Sequence, residues 1–95
     1  MRYAVVNDAE IEAEFDRRMR LTAEAIAAKA RDICPVDSGA LQASIHVEGG
    51  GGDYSVIADV SYAEAVEYGT SKMAAQPYLR PAVELARAEI EAIWS

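Results

Sequence analysis

The sequence predicts an α+β fold from three observations: a helix-period apolar stripe over residues 8–34, two period-two stretches flanking four glycines, and a second helix-period stripe opening at Pro81. A short helical stretch lies between them. The expected order is a long N-terminal helix, an antiparallel β-hairpin, a short helix, a loop, and a C-terminal helix packed on the sheet. Residues 1–95 read as a single domain, and a chain of this size hides only roughly 60–65% of its unfolded surface. Its core must be thin. Of the residues making up the 52% hydrophobic content, 19 are alanine, which supports helices better than it fills cores. These proportions argue against a second domain, a deep cofactor cleft or a large self-contained enzyme, and favour a module that completes its burial against partners.

In the first helix Ile11, Phe15, Met19, Thr22, Ile26, Ala30 and Ile33 recur at three- and four-residue spacings and predict one apolar face. Asn7 is the expected N-cap with Glu10 reaching back, Asp8, Glu10 and Glu12 suit the positive helix start, and Lys29 and Arg31 suit its end. Pro35 stops the helix. The cluster Arg17, Arg18 and Arg20 reads as a solvated face paired with Glu14, Asp16 and Glu24. After a turn over residues 35–39, strands are expected at 44–48 and 54–61. Ser44, His46 and Glu48 alternate with Ile45 and Val47, while Ser55, Ile57, Asp59 and Ser61 alternate with Tyr54, Val56, Ala58 and Val60. The four glycines at 49–52 form the hairpin tip and lack the Lys-Ser/Thr ending of a phosphate-cradling loop.

Residues 62–68 predict a short helix, with Gly69 as its left-handed C-terminal cap. Tyr62, Tyr68 and Tyr78 bracket the loop 69–77 and are expected to pin it against the sheet. Pro81 sits in the first turn of a second long helix, whose stripe is Ala82, Val83, Ala86, Ile90, Ile93 and Trp94.

Sixteen acids against nine bases give a net charge of −7, which argues against wrapping around a phosphate backbone. Cys34, the single cysteine, cannot form an internal disulfide and reads as a small buried hydrophobe. The apolar run at residues 3–6 is too short for a secretory signal, and no run reaches membrane-spanning length, so a soluble protein made in a cytoplasm, with no membrane partner, is expected.

A search for chemistry finds little. His46 is the only histidine and falls on the polar side of its strand with no nucleophile assigned to it by the sequence. Glu64 and Glu67 share a face of the short helix, but a carboxylate pair alone is weak support for acid–base work. Glu67 is better placed to accept from backbone groups near Gly69 or to pair with Arg80. No catalytic, cofactor-binding or metal-binding residue is assigned, and the chain reads as a non-enzyme. Gly39, Gly69, Pro77 and Pro81 are the expected structural turns. The candidate partner contacts are Gly50, Gly51 and Asp53 on the hairpin and Lys72, Met73 and Gln76 on the loop, because loops carried on a rigid scaffold commonly bind.

Two segments carry a resemblance. One is Pro35-Val36-Asp37-Ser38-Gly39-Ala40-Leu41-Gln42-Ala43-Ser44-Ile45; the other is Tyr62-Ala63-Glu64-Ala65-Val66-Glu67-Tyr68-Gly69-Thr70 followed by Gln76-Pro77-Tyr78-Leu79-Arg80-Pro81-Ala82. Together with the element order, they resemble the small neck proteins of long-tailed bacteriophages, called head–tail joining or tail completion proteins. The hairpin tip compressed to glycines and Gln42 in place of a basic residue depart from that pattern.

The resemblance implies a structural protein at the neck of a phage, prophage or gene transfer particle, assembled in the bacterial host. It implies a ring of six or twelve copies between head connector or closure proteins and tail tube or terminator proteins, with DNA passing nearby without specific binding. Residues 35–80 hold six acids, Asp37, Glu48, Asp53, Asp59, Glu64 and Glu67, against Lys72 and Arg80. If the hairpin side lines a channel, Asp53 and Asp59 are the candidate lining residues and keep DNA from sticking. The competing reading, resting on the −7 charge, is a small acidic regulator or inhibitor that binds a basic protein surface; a small hydrolase is a third.

Overall fold

Good helix formers dominate the run that becomes α1, Asp8–Ile33, the longest element of the computed structural model, which describes residues 8–35 and 39–95. The apolar run at residues 3–6, the cap assigned to Asn7 and the turn residues Val36, Asp37 and Ser38 lie outside the described residues. After α1 come α2 (Ala40–Ser44), β1 (Ile45–Gly50), β2 (Asp53–Ala58), α3 (Ala63–Tyr68), α4 (Arg80–Leu85) and α5 (Arg87–Trp94). The fold is α+β.

The hairpin pairs β1 with β2 antiparallel, from Ile45 opposite Ala58 to Gly50 opposite Asp53. Gly49 and Gly50 belong to the strand, so the expected four-glycine tip is a two-residue turn at Gly51 and Gly52, whose φ values of 61° and 84° meet the demand of a type I′ turn for two positive-φ residues. Glycine has no side chain to continue the period-two pattern, which is why the alternation ends before the strand does.

Two further expectations are corrected. Ser44, expected to open the strand, instead ends the single-turn α2 over Ala40–Ser44, with Gly39 ahead of it in the left-handed region at φ 79°, ψ −8°. The long C-terminal helix is divided at Ala86, where φ −88°, ψ 1° separates α4 from α5.

The core is built along α1, which takes the inner sheet face on one side and α4 and α5 on another, so the C-terminal helix expected on the sheet packs on α1 instead. Ala27 and Ala30 of α1 meet Ala82 of α4, and Cys34, Leu41, Ile45, Ala63 and the fully buried Tyr78 complete the cluster. Small side chains let helices approach closely, so the alanines seen in the composition form much of the core itself. The predicted apolar face of α1 is only partly covered: Ile11, Phe15 and Ile33 are exposed. A 26-residue helix is about 39 Å long at its 1.5 Å rise, whereas six-residue strands span roughly 20 Å, so the sheet cannot cover its whole length.

Side-chain bonds tie the far end of α1 to the hairpin. Arg31 donates from Nε and an Nη to the Ile45 carbonyl at 3.0 and 2.9 Å, and Gln42 donates to the Arg31 carbonyl at 2.9 Å. Cys34 is buried, and that burial pushes its thiol pKa up.

Candidate functional site

Two exposed loops are held on this scaffold by buried or half-buried carboxylates. At the hairpin, Asp16 of α1 accepts from the Gly52 amide at 2.8 Å and from the Tyr54 hydroxyl at 2.7 Å. Gly52 packs so closely on Phe15 that a Cβ there would lie 2.8 Å from the ring. The turn is therefore fixed against α1, with Gly50, Gly51 and Asp53 facing solvent. Of the pairings expected on this face, Glu14 bonds Arg17 and Arg18, each at 2.7 Å, whereas Asp16 accepts its hydrogen bonds from the hairpin. The Tyr54 hydroxyl and the Gly52 amide lower its pKa, with the nearby Arg20 charge helping.

At the other loop the anchor is Glu67, 2% exposed. Its carboxylate accepts from the Tyr78 and Leu79 amides at 2.9 and 2.7 Å, from the Arg80 amide at 3.2 Å and from Arg80 Nε at 2.6 Å. Arg80 also donates to the Glu67 carbonyl at 2.7 Å and lies 4.8 Å over the Tyr68 ring. Burial raises the Glu67 pKa, but the Leu79 and Tyr78 amides and Arg80 outweigh it, and the carboxyl is held below its usual value. Within the loop, Thr70 and Met73 form a small bridge, and the Gln76 amide donates to the Val66 carbonyl at 2.8 Å. Lys72, Met73, Gln76 and Pro77 are exposed.

Gly69 adopts φ 78°, ψ 176°, a region open essentially to glycine alone, instead of the expected left-handed cap geometry. The tyrosines also divide: Tyr78 is buried and donates to the Ala63 carbonyl at 3.2 Å, whereas Tyr62 and Tyr68 are exposed. Pinning the loop base thus falls to Tyr78.

The two loops do not converge. The hairpin turn lies beside Phe15 and Asp16, and the loop 69–77 returns to Tyr78, in the same core cluster as Cys34 just beyond the end of α1. From Asp16 to Ile33 the helix advances about 25 Å at 1.5 Å per residue. The loops thus sit towards opposite ends of one helix.

Asp53 shares the outer sheet face by strand parity with Ser55 and Ile57 and, across the register, Glu48 and His46, while Asp59, just past the end of β2, is also exposed and donates its amide to Ser44 Oγ at 3.1 Å. Both His46 ring nitrogens meet acceptors, the Ser44 carbonyl at 2.7 Å and Glu48 Oε2 at 2.6 Å, which raises its pKa. Among the described residues no group of histidine, cysteine and carboxylate side chains is arranged to hold a metal. No helix there is long and apolar enough to cross a membrane.

A long helix with an anchored, solvent-facing loop towards each end defines a small α+β structural module. A family model described as "Bacteriophage HK97-gp10, putative tail-component" matches residues 4–69, well over half of the chain, and the chain belongs to that family. The match runs through α3 and ends at Gly69, so the motif over residues 76–82 lies beyond it. A tail component is a virion-associated structural protein, which sets the coarse functional class. No curated protein and no solved structure matches the chain.

Proposed function

We propose that this chain is a single-domain, non-enzymatic neck protein that joins the head connector to the tail tube as a protomer of a ring of six or twelve copies. The particle is a phage, a prophage product or a gene transfer particle. The carrying observation is that two exposed loops are each anchored by a carboxylate at a different place on the scaffold, the hairpin turn on Asp16 in the first half of α1 and the loop 69–77 on Glu67 of α3, whose partner Tyr78 lies in the core cluster with Ala30 and Cys34. A joining protein needs two contact surfaces, and this fold offers two. The hairpin residues Gly50, Gly51 and Asp53 meet one neighbour, and Lys72, Met73 and Gln76 meet the other, drawn from the connector or closure proteins and the tail tube or terminator. Gly39, Gly69, Pro77 and Pro81 keep the two surfaces in fixed relation.

Deleting the gene is expected to leave filled heads and separate tails, and the protein is expected in purified particles. Normal joined particles without the chain defeat this reading. The acidic outer sheet face with Glu48, Asp53 and Asp59 is also what the alternative, a regulator bound to a basic protein surface, would use. Salt-sensitive capture of a nucleic-acid-binding protein favours that alternative; co-purification with connector and tail proteins favours the neck.

A further inference from the structure

On the side of α1 turned away from the core, Ile11, Glu14, Arg18 and Leu21 follow one another at intervals of three, four and three residues, which sets them in one row. Ile11 is 52% exposed and Leu21 36%, while Glu14 and Arg18 pair at 2.7 Å. Beside the row, Phe15 and Trp94 meet edge to face with centroids 5.9 Å apart, and with Ile11 they line an open groove of about 350 Å3. Arg18 lies over the Trp94 ring at 5.9 Å. Among the described residues nothing covers this apolar surface.

The order of the row, apolar, acidic, basic, apolar, is complementary to its own reversal. An antiparallel copy sets Ile11 against Leu21 and Glu14 against Arg18, and the reverse on the other side of the axis. A parallel copy sets Glu14 against Glu14 and Arg18 against Arg18. The wider charge order agrees, because Glu10, Glu12 and Glu14 precede Arg17, Arg18 and Arg20 along the helix.

We infer that the groove is an interface for a second copy of this chain, whose α1 crosses antiparallel about a two-fold axis level with residue 16. The contact is isologous: each copy gives and receives the same surface. Each Glu14, already bonded to its own Arg17 and Arg18, then also meets the partner's Arg18, and the exposed ion pairs join into one network across the axis. Ile11, Phe15 and Trp94 are covered in the same step. This inference is independent of the neck reading, since a ring uses a head-to-tail contact and the two-fold pair forms in the purified protein alone.

Sedimentation equilibrium of the full chain tests it. The expected result is a concentration-dependent dimer, weakened roughly tenfold or more by Ile11→Asp, a charge placed at the centre of an apolar contact. Glu14→Arg leaves two cations in the row and Arg18→Glu two carboxylates. Each alone is expected to be monomeric, and an equimolar mixture is expected to form a heterodimer. Far-UV circular dichroism verifies folding, and Leu21→Asp replaces any variant that fails it. A monomeric parent, a dimer indifferent to Ile11→Asp, or a mixture of the two charge variants that stays monomeric overturns the inference.

Discussion

Glu67 Oε2 lies 2.6 Å from Arg80 Nε, while Glu67 Oε1 accepts the Tyr78 and Leu79 amides at 2.9 and 2.7 Å. A carboxylate on α3 thus caps the start of α4 from outside that helix and closes the loop between them. Glu67→Gln preserves shape but turns one oxygen into an NH2 group facing donors. Mispairing this buried carboxylate with its amide donors is expected to cost about 2 kcal/mol in urea unfolding, while the Arg80 side chain, more than half exposed, adds little of its own. Arg80→Ala leaves three amides bonded to the carboxylate and is expected to cost less. The folded-state pKa of Glu67 lies below the ordinary 4.5, so its stabilisation is complete above the unfolded value and is lost as pH falls through the folded one. The parent is therefore expected to lose more stability on acidification than Glu67→Gln. Equal acid sensitivity of the two proteins contradicts this assignment.

Gly69 is held by space as well as by dihedral angle. A Cβ there would lie 2.7 Å from the Ala75 amide nitrogen and 2.9 Å from the Met73 carbonyl oxygen, both backbone atoms that cannot swing aside. Gly39, at a similar φ of 79°, has nothing within 4 Å of its Cβ position. Gly39→Ala is expected to cost about 1 kcal/mol for the left-handed conformation alone. Gly69→Ala is expected to cost about 2 kcal/mol or more, because backbone strain and displacement of the loop add. Thermal unfolding of the two variants side by side checks the order.

The bond between Asp16 and Tyr54 makes hairpin docking readable by titration. Tyr54 has a raised phenol pKa, chiefly because Asp16 accepts its hydroxyl proton, with burial and the Asp16 charge acting in the same direction. Asp16→Asn removes the charge and weakens the bond, so the Tyr54 phenol is expected to ionise at lower pH in an ultraviolet titration. Amide exchange at Gly52 is expected to speed up in the same variant. An unmoved tyrosine titration would show that the hairpin is positioned by packing on Phe15 alone.

Periodicity made α1 and the strand faces legible, because Ile45 and Val47 alternate with His46 and Glu48 over enough residues to define a side. It did not reveal α2, since residues 40–44 complete barely one turn, or the division at Ala86, where alanine carries no breaking signal. Ile11 and Phe15 show the limit of the stripe argument: spacing identifies an apolar face, but only the tertiary fold says how far its cover extends. The hairpin partners of Asp16 were not legible for a related reason, as helix-neighbour rules see Arg17 and Arg20 but not a hairpin 36 residues away. For Glu67 the opposite charges of Glu67 and Arg80 were visible in the sequence. The convergence of three consecutive amides on that carboxylate depends on the path of the loop and was not.

The outer sheet face carries the last prediction, which rests on the proposed ring. Asp53 opens β2 and Asp59 follows its last residue, both exposed, with Glu48 on the neighbouring strand. Were that face to line the ring, its carboxylates would repel a passing phosphate backbone and deny it counter-charges on which to settle. The Asp53→Asn/Asp59→Asn double variant removes two charges per copy, a difference multiplied around every copy of the ring. Particles carrying it are expected to assemble with normal yield and to release DNA more slowly, with the difference shrinking as salt screens the repulsion. Because both side chains are exposed and neither supports the core, defective assembly would point to a contact role for Asp53 instead. Unchanged DNA release, or a ring structure with both residues facing outward, would remove the channel assignment while leaving the joining function intact.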